Sequence, residues 1–456
     1  MAMLGKRRPA RTSSKPTTRT APRRQEAGGD GAALTIQRLS HDGRGVSRDG
    51  DGKTVFVDDA LPGEVVEIAV HRRRQRFDEA HVRHRRHSST ERAVPACPHY
   101  GRCGGCDLQH LAVDAQRAHK RSVLVDQLER HGIELGVAVD VLAGAPLGYR
   151  RRARLGVRLD SRGHCHLGFR ARGSHHLIDI DQCPILVPEL GELLTPLRDL
   201  LASLEAVRRV GHIELLAGDD SRVVVVRQLR DNPADARRWR EWGEAHGVHV
   251  VWQVGRDQPQ WRWLGKPGTL RYTLKGGTRD VVVGFEPGDF LQVNAEVNRQ
   301  LVSTARDWLA LRGEERIVDL FAGVGNFTLA LAGEAGAVLA LEGSPAMVSR
   351  LRDNAAANGL HHVEARQVDL TRSPGFGGEI DVVVLDPPRE GAEAACLDLA
   401  ASRVPRILYV ACDPATLARD AARLVHAGYR IRRAAVADMF VQTAHLESML
   451  LFERER

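Results

Sequence analysis

Apolar residues fall into three rhythms along this chain. Between residues 33 and about 92, short alternating runs such as LTIQRLS, TVFVDDA and EVVEIAVH are divided by turn residues. Asp-Gly at 42–43 and 51–52 and Pro-Gly at 62–63 mark the turns, so the pattern predicts about five short strands in a small OB-type β-barrel. AVDAQRAHKRSVLVDQLERHG (112–132) reads as a helix closed by Gly132. From 149 to 285, β-type runs (HIELLAG, SRVVVVRQL, VHVVWQVG) surround the helical ARRWREWGEAHG, which predicts an α+β domain. Beyond 286 strands and helices alternate to the end, the pattern of a doubly wound, Rossmann-like α/β sheet. The expected division is a tail over 1–32, a barrel over 33–92, a central domain over 93–285 and an α/β domain over 286–456. The helix 112–132 is expected to pack on the last of these.

Composition narrows the class. With 456 residues, 43% hydrophobic and 27% charged, the chain reads as soluble and multi-domain. No apolar run approaches the roughly 18–20 residues that span a bilayer, and the first residues lack the apolar core of a secretory signal. A cytoplasmic protein with reduced thiols is expected. The net charge of +8 is uneven. Residues 1–30 carry eight Lys/Arg against two acids, in a Ser/Thr/Pro/Arg/Gly-rich stretch that reads as a disordered tail. HRRRQRFDEAHVRHRRH (71–87) and YRRRARLGVRLDSRGHCHLGFRAR (149–172) are dense in arginine, whereas residues 311–456 hold 16 Arg against 20 acids. A basic front half predicts a grip on nucleic acid, with Arg150, Arg151, Arg152 and Arg154 as candidate phosphate contacts. His71, His81, His84, His87, His175 and His176 read as RNA-facing or solvated rather than as metal ligands.

The rear half carries the candidate chemistry. RIVDLFAGVGNFTLALA (316–332) is a strand, a glycine turn and a helix, with Gly323 and Gly325 allowing a ligand close to the backbone. A lone G-x-G is weak, but AVLALEGS (337–344) ends a second strand at Glu342, where a carboxylate can accept ribose hydroxyls. Asp369 ends the next strand, in position for an adenine edge. Without a third glycine for a pyrophosphate, the spacing suits S-adenosylmethionine. EIDVVVLDPPREG (379–391) puts Asp386-Pro387-Pro388-Arg389 at a strand end. Arg389 stands where amine-directed nucleic-acid methyltransferases carry an aromatic ring, which argues against methylation of an exocyclic amine. In RILYVACDPATLARD (406–420) Cys412 follows an apolar strand and precedes a helix, a setting that favours a thiolate. Glu447 precedes the last apolar strand.

CPHYGRCGGC (97–106) holds three of the seven cysteines in a C-x5-C-x2-C spacing. In reduced surroundings such a cluster points to metal rather than to disulfides. A closed site needs a fourth ligand. Cys183, before a proline, suits it better than Cys165, which sits in an alternating run. The C-x2-C half fits zinc and the x5 spacing does not, so both zinc and iron–sulfur stay open on spacing alone.

FLQVN (290–294), DLFAGVGNF (319–327), DPPR (386–389), ACDPAT (411–416) and HLE (445–447) occur in the order of the RNA uracil-C5 methyltransferase family. The chain resembles that family from residue 33 onward. Its TRAM-like barrel and cysteine cluster are similar to the iron–sulfur-containing branch that acts on 23S rRNA at uracil 1939; the tRNA-directed branch lacks both. The resemblance implies S-adenosylmethionine contacts at Gln292, Phe321, Asn326, Glu342, Asp369 and Asp386. It implies Cys412 as nucleophile and Glu447 as base. It further implies a 4Fe-4S cluster on Cys97, Cys103, Cys106 and Cys183, with 23S rRNA as partner. A monomer without an obligate protein partner is expected. The chemistry needs these groups: uracil C5 takes a methyl group only after a thiolate adds to C6, and a base must then remove the C5 proton. Two readings compete with this one, the same chemistry on another rRNA uridine or on tRNA, and a non-catalytic iron–sulfur RNA-binding protein. ACDP departs from the asparagine form common in the family, so Asp413 is expected to point away from the thiol or to cap the following helix.

Overall fold

Alternation and turn chemistry build the first sheet. Strands Leu34–Thr35, Arg38–Leu39, Gly45–Arg48, Thr54–Asp58, Val65–Arg73 and Phe77–His87 form six strands around Ile36, Val55, Val57, Val66 and Ala80. Gly43, Gly52 and Gly63 take φ near +80° at the turns, a region that glycine enters without cost. The computed structural model describes residues 33–256, 259–277, 279–372, 375 and 379–454; the basic tail over 1–32 lies outside the described residues. Glu64 is fully buried in the barrel and receives Arg92 Nε at 2.6 Å, Arg85 Nε at 3.1 Å and the Leu61 amide at 2.9 Å. Burial alone would raise its pKa, but Arg92 and the Leu61 and Ser89 amides hold it down to about 2.

A seven-stranded sheet follows, ordered Leu177–Asp179, Cys165–Arg170, Arg152–Leu159, Val210–Ala217, Arg222–Gln228, His249–Val254 and Gln260–Trp263. Helices Leu194–Ser203 and Pro233–His246 cover it, with Trp239 and Trp252 fully buried between. The C-terminal sheet has eight strands, ordered Val363–Gln367, Ala337–Glu342, Arg316–Leu320, Val382–Leu385, Arg406–Ala411, Glu447–Arg454, Tyr429–Ala437 and Val139–Leu142. The first five run parallel, and Glu447–Arg454 runs antiparallel between two neighbours.

The expected central span of 93–285 is not one unit. Val139–Leu142 pairs in parallel with Tyr429–Ala437 at the edge of the C-terminal sheet. The helix Val113–Arg130 packs on the helix Pro414–His426. The hairpin Leu270–Gly276/Arg279–Phe285 places Leu270, Leu274, Val281 and Phe285 in one core with Ile317 and Val382. Alternation identifies a strand but not its partner, so the edge strand and the hairpin could not be assigned from their own pattern. Among the described residues, no helix is long and apolar enough to cross a membrane.

Candidate active site

Four strand ends meet at one edge of the C-terminal sheet. Leu320, Leu385 and Ala411 close three parallel strands, and Glu447 opens the antiparallel one. Ala411 lies opposite Ser448, which brings Cys412 alongside Glu447. Burial, then the nearby Glu447 and Asp386 carboxylates, pushes the Cys412 thiol up to about 11; Arg389 pulls weakly the other way. Glu447 is itself buried and raised well above the usual glutamate range by burial and then by Asp386. Asp386 is pushed up to about 7 by burial and by Asp319, and Asp319 to about 7 by burial, with Glu342 adding to it. The expected helix-terminus activation of the thiol is therefore not what the free protein shows. Asp413 caps the helix Pro414–His426, accepting from the Ala415 and Thr416 amides at 3.0 Å. The positive end of that helix is spent on Asp413, and burial with two nearby carboxylates governs the sulfur.

The glycine turn lies beside this edge. Phe321, Gly323 and Gly325 all take positive φ, of 63°, 56° and 102°. Phe321 pays a backbone strain on the order of 1–3 kcal/mol for its left-handed conformation. A Cβ on Gly323 would meet nothing within 4 Å, whereas one on Gly325 would lie 2.9 Å from Leu329. The turn is thus packed on one side and open on the other. Glu342 receives the Gly323 amide at 3.0 Å on Oε2 and the Ser344 amide at 2.8 Å on Oε1. Each oxygen keeps a lone pair for a ligand hydroxyl. Asp319 receives the Thr328 hydroxyl on one oxygen, and its other oxygen is buried without a partner. Asp369 is exposed and holds Thr371, whose hydroxyl donates to it at 2.6 Å.

Asn326 is engaged within the protein. It exchanges hydrogen bonds with Asn298 at 2.9 and 3.0 Å and accepts from the Tyr272 hydroxyl at 3.0 Å. Gln292 is buried, and its carbonyl accepts Arg151 Nε at 2.8 Å. The Arg151 guanidinium lies 4.7 Å over the Tyr272 ring. Sequence reasoning missed Asn298 and Tyr272, since neither belongs to a motif.

Residues 113–372 and 377–455 match the tRNA (Uracil-5-)-methyltransferase family. The chain belongs to that family. Residues 32–82 match the TRAM domain. The protein from Chromohalobacter salexigens named 23S rRNA (uracil(1939)-C(5))-methyltransferase RlmD is 59% identical, covering 100% of this chain and 96% of its own. The protein of the same name from Halomonas elongata is 55% identical, covering 99% and 97%. The fold is similar to that of the Pyrococcus abyssi tRNA (uracil-54, C5)-methyltransferase solved with S-adenosyl-L-homocysteine. That match has a TM-score of 0.74 and 24% identity, and covers 92% of this chain and 100% of that one.

Beyond the catalytic edge, this tRNA (Uracil-5-)-methyltransferase family member gathers four thiols. Cys97, Cys103, Cys106 and Cys183 line one cavity of about 230 Å³, with Tyr100, Gln109 and Phe169 among its walls. Burial and the neighbouring thiols push Cys106 up to about 12; burial chiefly pushes Cys183 up to about 11. Cys165 lies instead in the strand Cys165–Arg170, near Asp179. Among the described residues, no group of three or more His, Cys, Asp or Glu is set to hold a metal ion as it stands.

The arginine run is more occupied than its sequence suggests. Arg151 is buried, and Arg152 Nε donates to Glu214 at 2.9 Å. Arg150 and Arg154 border the thiol-lined cavity, and Arg154 is exposed. The expectation of phosphate contacts therefore fails for Arg151 and Arg152, whose charges are used inside the protein. His71, His81, His84 and His87 are exposed along the barrel's long hairpin.

Proposed function

We propose that this protein methylates C5 of one uridine in 23S rRNA, the uracil-1939 site of its named relatives, through a covalent adduct on Cys412. The observation that carries the reading is Cys412 and Glu447 side by side at the carboxyl edge of the sheet, next to a ligand-open glycine turn. Cys412 Sγ adds to C6, and the displaced electron pair makes C5 the nucleophile. S-adenosylmethionine supplies the methyl group. Glu447 then removes the C5 proton, and the returning electron pair expels the thiolate from C6. Burial makes ionised Glu447 a stronger base than an exposed glutamate, which suits that step. The raised thiol means that Cys412 must lose a proton as uracil enters; Asp386 is the acceptor in reach that leaves Glu447 ionised to take the C5 proton.

The cofactor residues fit this role. Glu342 offers free lone pairs to the ribose, Asp369 stands exposed just past a strand end, Phe321 lies in the turn and Asp386 at the sheet edge, while Gln292 is buried beside Arg151. Asn326 sets the turn's shape through Asn298 and Tyr272. The four thiols hold a 4Fe-4S cluster. The four thiols line one cavity, and the resemblance to the iron–sulfur-containing branch favours a cluster there over zinc. The cluster supplies no electron that the reaction needs, so its part is structural. A tail, a barrel, a cysteine-bearing centre that lends its edge strand and hairpin to the catalytic part, a monomeric state and a cytoplasmic setting complete the reading.

The test is to map 5-methyluridine in 23S rRNA and in tRNA after treatment with wild type and with Cys412→Ala. Methylation of one 23S rRNA site by the wild type alone is expected. Product from Cys412→Ala would overturn the mechanism, and product in tRNA alone would overturn the substrate. For the cluster, absorbance near 400 nm with about four irons per chain is expected, and stoichiometric zinc would refute it.

A further inference from the structure

Glu447 is reached through a segment that two distant parts of the chain hold in place. Residues 438–446 join the strand Tyr429–Ala437 to Glu447, and Asp438, Met439, Val441, Gln442, Thr443 and Leu446 are all buried. On one side is the helix Val113–Arg130. Lys120 Nζ donates to Asp438 at 2.8 Å and to the Phe440 carbonyl at 2.9 Å, and Arg117 Nε donates to Asp438 at 3.0 Å. Gln116 and Gln442 exchange two bonds of 3.0 Å, side-chain amide to side-chain oxygen and main-chain amide to side-chain oxygen. On the other side is the cysteine-bearing segment. The Gln442 carbonyl accepts the Asp107 and Leu108 amides at 2.9 and 3.0 Å, directly after Cys106. Val441 packs with Tyr149 and Ile185 against Cys106 and Cys183, and the Tyr149 hydroxyl donates to its carbonyl at 2.7 Å.

Gln442 sits at φ 70°, a conformation that a glutamine keeps only when its surroundings over-determine it. Here five hydrogen bonds to its amide, carbonyl and side chain do so. The segment closes on a paired position, Ala437 opposite Glu447, so its path fixes how the first residue of the last strand faces Cys412. We propose that residues 438–446 are a positioning strap, through which Gln116 and the walls of the thiol-lined cavity hold the Glu447 carboxyl group against C5 of the uracil. The inference rests on the mechanism proposed above. It gives the cavity a part in the reaction without electron transfer. Whatever fills the cavity stiffens Val441 and Gln442, and so sharpens proton removal with no redox step.

Gln116→Met keeps length and helix propensity and removes only the amide. Hydrogen exchange over 438–446 is expected to quicken at least tenfold. The fraction of enzyme held as covalent RNA adduct should rise severalfold and kcat fall severalfold, with the Kd for S-adenosylhomocysteine within twofold of wild type. Iron-stripped wild type should show the same shift in exchange relative to iron-loaded protein. Tyr149→Phe, which loses one hydroxyl, should move the adduct fraction in the same direction and guards against misfolding of the first variant. Glu447→Gln is the reference. If it traps no adduct, the mechanism fails whatever the strap does. If it traps adduct while Gln116→Met and Tyr149→Phe keep wild-type exchange and adduct levels, the strap is overturned. Unchanged exchange on iron loading would overturn the cavity's share.

Discussion

At the scale of single residues, the proposed nucleophile Cys412 is a restrained thiol in the free protein. With burial and two carboxylates holding Cys412 up to about 11, its alkylation by iodoacetamide in RNA-free protein should be slow at neutral pH. The rate should climb tenfold per pH unit without levelling before about pH 10. Glu447→Gln removes the largest charge acting on the sulfur, so the same curve should move to lower pH. A wild-type midpoint at the ordinary thiol value, or no movement in the variant, would contradict this account. That Asp386, Cys412 and Glu447 would gather at one sheet edge was legible in the sequence, because strand ends at the carboxyl edge of an α/β sheet are where chemistry collects. Their ionisation was not. Cys412 before a helix reads as an activated thiol, but Asp413 consumes the helix's free amides, and the carboxylates that oppose the thiolate come from strands 26 and 35 residues away in sequence (386 and 447 against 412). Arg151 was equally opaque. A buried arginine under a tyrosine ring and a solvated one carry the same letter.

At the scale of elements, the buried face of the helix Val113–Arg130 is unusual in carrying polar side chains. Gln116, Lys120, Val123, Leu124 and Leu128 are its buried residues, so two polar side chains occupy the stripe that apolar residues usually fill. Polar residues on a core stripe were the available signal that this helix grips something polar, namely Asp438 and Gln442. Lys120→Met strands a buried carboxylate with Arg117 as its remaining cation, and should cost about 3–5 kcal/mol. Lys120→Met combined with Asp438→Leu should recover most of that loss, as read by urea denaturation; a double variant no better than the single would show that the pair is not the source. In the barrel the sign of a pH effect follows from Glu64. Its folded pKa of about 2 lies below the ordinary 4.5, so its contribution is full above 4.5 and fades as pH falls toward 2. The Tm gap between wild type and Glu64→Gln should therefore be widest near pH 6 and narrow by pH 3. A constant gap would mean that the Arg85–Arg92 clasp acts through shape alone.

For the whole molecule, the uneven charge along the chain predicts RNA binding only after the paired cations are set aside. Arg85 and Arg92 close on Glu64, Arg86 on Glu67 and Arg152 on Glu214. Each of these counts toward a basic front half, yet each is partly neutralised where it stands. The first 30 residues differ, with eight Lys/Arg and two acids, a net of +6. Each phosphate neutralised on single-stranded RNA contributes a slope of about 0.7 to the fall of log K with log salt. Removing residues 1–32 should then flatten that slope by up to about 4 (six charges at 0.7 each). Affinity at low salt should drop, while methylation at saturating RNA stays the same, because Cys412, Glu447 and the strap are untouched. Binding isotherms between 50 and 300 mM salt with a 23S rRNA fragment decide it. An unchanged slope would move the electrostatic grip onto exposed cations among the described residues, such as those of the barrel hairpin and Arg154.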